Sequence, residues 1–217
     1  MILVNFKIYR ETFGEGSIKL ARACKSAAEK SGVKIYPVVS AIDACRIIKE
    51  VDIEVMIQHT DGMIEGARSG FVSTEQAALA GISGSLVNHS EHKLKPGAIK
   101  GMLSIWPEKF KSVVCIQTHG QAERWAKNIK PDYIAYEPSY LIGNKEKSVA
   151  TEKPEVIKKI VERYSGIPVL VGAGIHTVED VKISLSLGAK GILISSAIVK
   201  SANPEADLLE LAKAFGV

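Results

Sequence analysis

The sequence predicts an α/β fold, a closed (β/α)8 barrel built from eight parallel strands that each lead into a helix. The chain has 217 residues, of which 46% are apolar and 24% charged, ordinary values for a globular domain. Short apolar runs alternate with helical patterns along its whole length, and this alternation predicts a parallel sheet. Eight units favour a closed barrel over an open doubly wound sheet, which usually has five or six strands.

The predicted strands are continuous apolar runs, as expected when helices cover the outside of a sheet and a core fills its inside. They are Ile2–Phe6, Val33–Val39, Val55–Gln58, Gly84–Val87, Ser112–Ile116, Tyr133–Ala135, Pro168–Val171 and Gly191–Ile194. The predicted helices between and after them are Ser17–Ser31, Ala41–Glu50, Thr74–Ala80, Ala98–Ile105, Gln121–Asn128, Pro154–Tyr164, Val178–Leu187 and Ala206–Phe215.

Composition narrows the classes of function. No GxGxxG motif follows the first strand, which disfavours a dinucleotide-binding fold. No membrane-length apolar run, signal peptide or block of like charges is present, so we expect neither a membrane nor a nucleic acid as partner. Three separated cysteines favour a reducing, cytoplasmic compartment. Without a linker or composition shift, residues 1–217 are expected to form one compact catalytic domain.

Glu137 is the strongest catalytic candidate. It follows a short apolar strand, and Pro138 restricts it to extended geometry. About ten residues without helical periodicity then precede Pro154, and long unstructured connections of this kind are often lids or binding loops. Because active sites of such barrels lie at the carboxyl ends of the strands, Glu137 is interpreted as a catalytic base and Pro138–Val149 as its lid.

The first strand ends in Asn5-Phe6-Lys7, where period-two alternation directs Asn5 and Lys7 the same way and Phe6 outward. Lys7 is therefore either a cation for an anionic substrate or a surface lysine. The mild net charge of +4 fits an anionic substrate, but it fits an ordinary basic surface as well.

The fourth strand leads into Asn88-His89-Ser90-Glu91. His89 is interpreted as catalytic, with Ser90 and Glu91 available to hydrogen-bond and pair with it, although a structural histidine is the alternative. His89 and His92 are three residues apart, but no third ligand with a metal-site spacing accompanies them, so no metal is expected.

Small residues follow the last two strands. Gly174 lies in the turn after the seventh strand, and Ser195 and Ser196 follow the eighth. Free backbone N–H groups near helix starts at these two strands form the usual phosphate site of such barrels, although ordinary turn chemistry is the alternative. Phosphate binding would identify a ligand group but not a reaction.

Taken in chain order, the strand-end motifs resemble the triosephosphate isomerase family, whose fold is the TIM barrel. The motifs are Asn5-Phe-Lys7, Asn88-His-Ser-Glu91, Tyr136-Glu-Pro138 with Ile142-Gly143, and Val171-Gly-Ala-Gly-Ile175. The compact length, Gln58-His59 and the Asn88–Glu91 signature are most similar to the archaeal branch.

The resemblance implies interconversion of dihydroxyacetone phosphate and D-glyceraldehyde 3-phosphate in glycolysis and gluconeogenesis, without a cofactor. It implies Glu137 as the proton-transferring base, His89 as the electrophile at the carbonyl, and Asn5 and Lys7 as groups that bind substrate and stabilise negative charge. Glu91 would pair with Lys7. The residues implied at the lid and the phosphate are Ile142, Gly143, Gly174, Ser195 and Ser196.

Four residues in three parts of the chain depart from the family pattern. Asn144-Lys145 stand at the far end of the lid, Ala197 stands where glycine is common, and Ser69 replaces the threonine that usually reaches a partner subunit. A homodimer is still expected, with a tetramer possible. Alternatives to the isomerase are another phosphate-binding barrel enzyme, which commonly carries a Schiff-base lysine or a metal set, and a non-catalytic phosphometabolite-binding barrel.

Overall fold

Eight parallel strands close into a barrel in chain order in a computed structural model that describes residues 1–63, 65–125, 128–141 and 148–216. Each strand pairs with its neighbours in sequence, and β8 pairs with β1 to close the sheet. The strands are β1 (Ile2–Asn5), β2 (Ile35–Val39), β3 (Met56–Ile57), β4 (Gly84–Val87), β5 (Lys111–Ile116), β6 (Tyr133–Tyr136), β7 (Val169–Gly172) and β8 (Gly191–Ile194). The predicted fold class is confirmed.

Helices surround the barrel. Those in the described residues are α1 (Glu15–Ser31), α2 (Ala41–Val51), α3 (Thr74–Leu79), α4 (Pro96–Ser104), α5 (His119–Trp125), α6 (Val149–Glu152), α7 (Pro154–Arg163), α8 (Val178–Ser186), α9 (Ser196–Val199) and α10 (Pro204–Ala212). None of these helices is both long and apolar enough to cross a lipid bilayer, as far as the described residues go.

The strands bury side chains on both faces, as their continuous apolar sequences predict. The larger core lies between strands and helices and contains Val4 and Phe6 from the first strand and its end. A smaller apolar cluster fills the barrel interior. Its buried members are Leu3, Tyr36, Val38, Met56, Leu86, Val113, Cys115, Ala135, Leu170 and Leu193.

Several predicted element boundaries differ from the observed ones. β1 ends at Asn5, because the backbone at Lys7 turns into the left-handed region with φ 50°. β3 contains two residues, although the ladder continues through hydrogen bonds from Gln58 N–H to Val39 O and from Ser83 N–H to Val55 O. The sequence did not predict the one-turn helices α6 and α9, which are too short to have a recognisable period.

The fifth and last helices also differ from the prediction. α5 begins at His119, earlier than predicted, because the side chain of Gln121 accepts the N–H groups of Gln117 and Thr118 at its start. The predicted final helix becomes α10 followed by a 3₁₀ turn over Lys213–Phe215.

Candidate active site

A cavity opens at the carboxyl ends of the strands. Six residues that the sequence analysis singled out line it together, although they come from four different strand ends. They are Asn5, Lys7, Glu137, Gly174, Ser195 and Ser196. Closure of the barrel is what brings these distant parts of the chain together.

Glu137 directly follows β6, and its N–H donates to the carbonyl of Ile116 on β5 at 2.9 Å, which continues the ladder by one residue. Its side chain lies against Gly172 at the end of β7. A Cβ at position 172 would lie 2.6 Å from Cγ of Glu137 and 2.9 Å from its Oε1. Only glycine therefore leaves room for this carboxylate.

The Glu137 side chain is buried, with 5% of the residue exposed. Burial raises the pKa of the Glu137 carboxyl, and this outweighs the opposing influences of His89, of a hydrogen bond from the Cys115 thiol and of Lys7. A carboxylate with a raised pKa is a stronger base than an exposed one.

His89, in the loop after β4, faces Glu137 at the mouth of the barrel. Its Nδ1 accepts the N–H of Glu91 at 3.2 Å, so in the neutral imidazole the proton lies on Nε2. Nε2 is 3.5 Å from Oε2 of Glu137, and neither atom has a hydrogen-bond partner among the described residues. A donor and an acceptor, both buried, are thus directed at the same small volume.

Lys7 sits on a strained turn that its surroundings hold in place. Its N–H donates to Oδ1 of Asn5 at 3.1 Å, and its carbonyl accepts Nε2 of Gln58 at 3.0 Å. The ammonium lies 2.7 Å from Oε1 of Glu91, whose side chain is 59% exposed. Asn5 and Lys7 both line the cavity, and Lys7 lies in a left-handed backbone turn where the prediction assumed continued strand.

Between Glu137 after β6 and Lys7 after β1, the cavity is lined by the turns after β7 and β8. Gly174 has φ 73°, a conformation that glycine adopts without strain. Ser195 precedes α9, which begins at Ser196, and the Oγ of Ser195 is buried without a hydrogen-bond partner among the described residues. This side of the cavity therefore contains Ser195, whose hydroxyl is buried and unpaired among the described residues, and the first turn of a helix.

The predicted lid is described only at its two ends. Ile142 and Gly143, as well as Asn144 and Lys145, lie outside the described residues. At the near end, Ser139–Leu141 form a 3₁₀ turn after Pro138. At the far end, Val149 N–H donates to the carbonyl of Ala173, which joins the lid's end to the β7 turn.

The remaining predicted residues have more limited roles. Glu91 contacts both Lys7 and His89, whereas Ser90 adds no side-chain hydrogen bond to these groups in the described part of the chain. His92 stacks on His59, with ring centroids 3.8 Å apart. His89 is absent from the cavity lining itself and reaches the site through its position next to Glu137.

Sequence reasoning missed several residues of the site. Gly172 lies against the Glu137 carboxylate, Gln58 binds the carbonyl of Lys7, and Gln117 binds the carbonyl of Asn88, next to His89. Tyr9 lines the cavity. Gln117 directly follows β5, a strand end at which the sequence analysis sought no functional residue. Polarity immediately after an apolar strand was the signal that could have identified it.

Comparisons with known proteins agree with this geometry. The family model described as triosephosphate isomerase matches residues 1–215. Proteins named triosephosphate isomerase from Methanosarcina acetivorans and Methanobrevibacter smithii are each 37% identical to this chain, over 97% of it and 96% of the relative. One from Cenarchaeum symbiosum is 37% identical over 99% of this chain and 97% of its own length. These matches span nearly the whole chain, and the chain therefore belongs to the triosephosphate isomerase family.

Proposed function

We propose that this protein is a triosephosphate isomerase that interconverts dihydroxyacetone phosphate and D-glyceraldehyde 3-phosphate by proton transfer through an enediolate. The observation that carries the proposal is the facing pair of Glu137 Oε2 and His89 Nε2, buried, 3.5 Å apart and without other described partners. Family membership supports the reaction, and this pair supplies the base and the donor that it requires.

Glu137 is the proposed base. It removes a proton from the carbon next to the substrate carbonyl and returns it to the former carbonyl carbon, while the hydroxyl proton moves between the two oxygens. The raised pKa of its carboxyl brings its basicity closer to that needed for carbon acids. Atoms and electrons balance within the substrate, so the reaction requires neither a redox cofactor nor a metal.

His89 and Lys7 are proposed to stabilise the enediolate. With its proton on Nε2, His89 donates to the carbonyl oxygen, on which negative charge develops. Donors directed at such an oxygen typically contribute about 2.7–4 kcal/mol each to transition-state stabilisation. Lys7 supplies a positive charge at the same mouth, and Asn5 fixes its backbone.

The substrate phosphate is proposed to bind between the turns after β7 and β8. The unpaired Oγ of Ser195 and the helix start at Ser196 are suited to an anion, and Gly174 allows close backbone approach. Ile142 and Gly143 are proposed to complete this contact from the lid. Closure would then exclude water from the reacting carbons.

We also infer that residues 1–217 act as one catalytic domain and that the chain assembles as a homo-oligomer, at least a dimer, with a tetramer possible. Exposed apolar side chains after β1, at the start of α2 and at the end of α3 are the positions proposed for an interface: Ile8 is 81% exposed, Ile42 91% and Leu79 83%. Cytoplasmic glycolysis and gluconeogenesis are the setting proposed for the reaction. Light scattering of the purified protein measures the assembly directly.

The test of the function is turnover of D-glyceraldehyde 3-phosphate by the purified protein with a chelator present and no added cofactor. Formation of dihydroxyacetone phosphate, followed by proton NMR, is the expected result. Binding of 2-phosphoglycolate without any turnover would contradict the isomerase and favour a phosphometabolite-binding barrel.

Lys7→Met provides a second test, because it removes the charge and keeps the length of the side chain. We expect the affinity for 2-phosphoglycolate to fall about tenfold or more, since a charge-assisted contact contributes roughly 1.5–3 kcal/mol. Calorimetry measures the change, with the exposed Lys109→Met as control. Unchanged affinity would assign Lys7 to the surface.

A further inference from the structure

Two glutamine side chains behind His89 form a hydrogen-bonded chain that ends on the backbone next to the imidazole. Gln117 is 6% exposed, and its Nε2 donates to the carbonyl of Asn88 at 3.0 Å. Its Oε1 accepts Nε2 of Gln121 at 3.1 Å. Neither glutamine lines the cavity, and their hydrogen bonds lead to the backbone next to His89 rather than to Glu137 or Lys7.

Asn88 has an unusual backbone that its surroundings hold in place. Its φ is 62°, in the left-handed region that side chains with a Cβ rarely adopt. Its Nδ2 donates to the carbonyl of Cys115 at 2.8 Å, and its Oδ1 accepts the N–H of Leu94 at 2.9 Å. The bond from Gln117 is the third contact, and the one that acts on the main-chain carbonyl.

That carbonyl shares one rigid peptide plane with the N–H of His89. Rotation of the plane changes the direction in which the Cα–Cβ bond of His89 points, and the imidazole moves with it. Gln117 holds the plane from its carbonyl side, while Glu91 N–H holds Nδ1 of the ring. The donor of Gln117 is therefore coupled to the position of Nε2 opposite Glu137.

Gln121 selects which end of the Gln117 amide faces Asn88. Its own Oε1 accepts the N–H groups of Gln117 at 2.6 Å and Thr118 at 3.2 Å, so its amide nitrogen points at Gln117. Oε1 of Gln117 faces that nitrogen, and Nε2 of Gln117 is left to face the Asn88 carbonyl.

We propose that Gln117, oriented by Gln121, is a positioning residue that holds the His89 imidazole against the reacting atoms. Its catalytic meaning rests on the proposed isomerase function. The placement of His89 is measurable without turnover, so the two proposals fail separately.

Two nearly isosteric substitutions test the chain of contacts. Gln117→Met removes the donor and retains the length. Gln121→Glu keeps the acceptor for the two N–H groups but replaces the donor to Gln117, which should turn the Gln117 amide so that its oxygen faces the Asn88 carbonyl. This second variant leaves the backbone contacts at the start of α5 intact, so it still tests the proposal if Gln117→Met does not fold.

For both variants we expect kcat to fall about tenfold with KM changed less than about twofold. The proposed phosphate contacts lie after β7 and β8 rather than after β5, and displacement of a catalytic group acts on the transition state. Asn128→Leu, an exposed amide replaced just after α5, is the control and should retain wild-type kcat. A rise in KM with unchanged kcat, or wild-type kcat in both variants, would overturn the proposal.

A readout independent of turnover is the ¹⁵N NMR spectrum of histidine-labelled protein, with the His89 signals assigned from His89→Gln. Gln117→Met should shift the His89 ring signals, and in the His89→Gln background it should cause little further loss of kcat. Unchanged ring signals, or an undiminished loss in that background, would show that Gln117 does not act through His89. If the wild type lacks isomerase activity, the isomerase proposal fails and the ring signals alone decide the positioning role.

Discussion

The apolar interior of the barrel and the mouth above it differ in the contacts that their buried side chains make. Inside, Leu3, Met56 and Leu170 pack with one another and with their neighbours, and each is fully buried. At the mouth, His89 Nε2, Glu137 Oε2 and Ser195 Oγ are buried without a partner in the described residues. Unpaired buried polar atoms destabilise a fold, and others occur elsewhere in the described residues, such as the hydroxyls of Thr60 and Tyr164. The mouth differs because a carboxylate and an imidazole face each other there at 3.5 Å, which indicates that this end serves chemistry rather than stability.

The backbone shows the same difference. In the described residues, left-handed conformations of non-glycine residues occur at Lys7, Asn88 and Ala173, each at or just beyond the carboxyl end of a strand, and at Asp52, which caps α2. Side-chain amides hold two of the three strand-end positions: Gln58 binds the Lys7 carbonyl and Gln117 that of Asn88. Local strain at the mouth is thus held by specific polar contacts, whereas the interior relies on packing.

The largest expected effect is a loss of activity from a substitution at the mouth, Glu137→Asp. Glu137→Asp withdraws the carboxylate by one methylene, and kcat should fall by about 10³-fold, within the range for a displaced general base. Thermal unfolding should change little, because the acid remains in the same site. Steady-state kinetics measure kcat, with Glu162→Asp at an exposed position as control. Turnover near that of the wild type would remove Glu137 from the mechanism.

The opposite outcome is expected in the interior. Met56→Ala truncates a fully buried side chain of β3, a strand that carries none of the proposed catalytic residues. The free energy of unfolding should fall by about 2–5 kcal/mol, the usual cost of such a cavity. Denaturant titration measures this, and kcat of the folded protein should remain at the wild-type value. A large loss of kcat with unchanged stability would contradict the division between the regions.

Gly172→Ala tests the boundary between them. The added Cβ would lie 2.6 Å from Cγ of Glu137, so the carboxylate has to move. We expect kcat to fall about 10²-fold, as for displacements of roughly an ångström. Gly101→Ala on α4 is the matched control, because a Cβ there meets nothing within 4 Å. Equal kinetics for the two variants would show that Gly172 does not position Glu137.

The smallest effect concerns pH and stability. Because burial raises the pKa of Glu137, the folded state binds more protons than the unfolded state between the ordinary and the raised value. The contribution of Glu137 to stability is complete below the ordinary carboxyl pKa and is lost as pH rises through the raised one. The Glu137→Gln side chain does not ionise, so the variant does not lose stability in this way. The melting temperature of the variant minus that of the wild type should therefore increase as pH increases. A difference independent of pH would contradict the raised pKa.

The difference between the regions also explains what could be predicted from the sequence. The eight apolar runs determine the barrel because packing responds to patterns that extend over many residues. Glu137, His89 and Lys7 were identifiable because each follows such a run. Gln117 also follows such a run, so its position could have been noted, but its role could not. That role and the role of Gly172 depend on contacts with Asn88 and Glu137 that exist only once the barrel has closed.

The most direct test of the account compares wild type and Glu137→Gln in the same preparation. We predict ready conversion of D-glyceraldehyde 3-phosphate by the wild type and a loss of about 10³-fold or more in the variant, typical of removing a general base. Binding of 2-phosphoglycolate, measured by calorimetry, should persist in the variant and report an intact site. A variant that retains turnover within tenfold of wild type would contradict the assignment of Glu137 as the base.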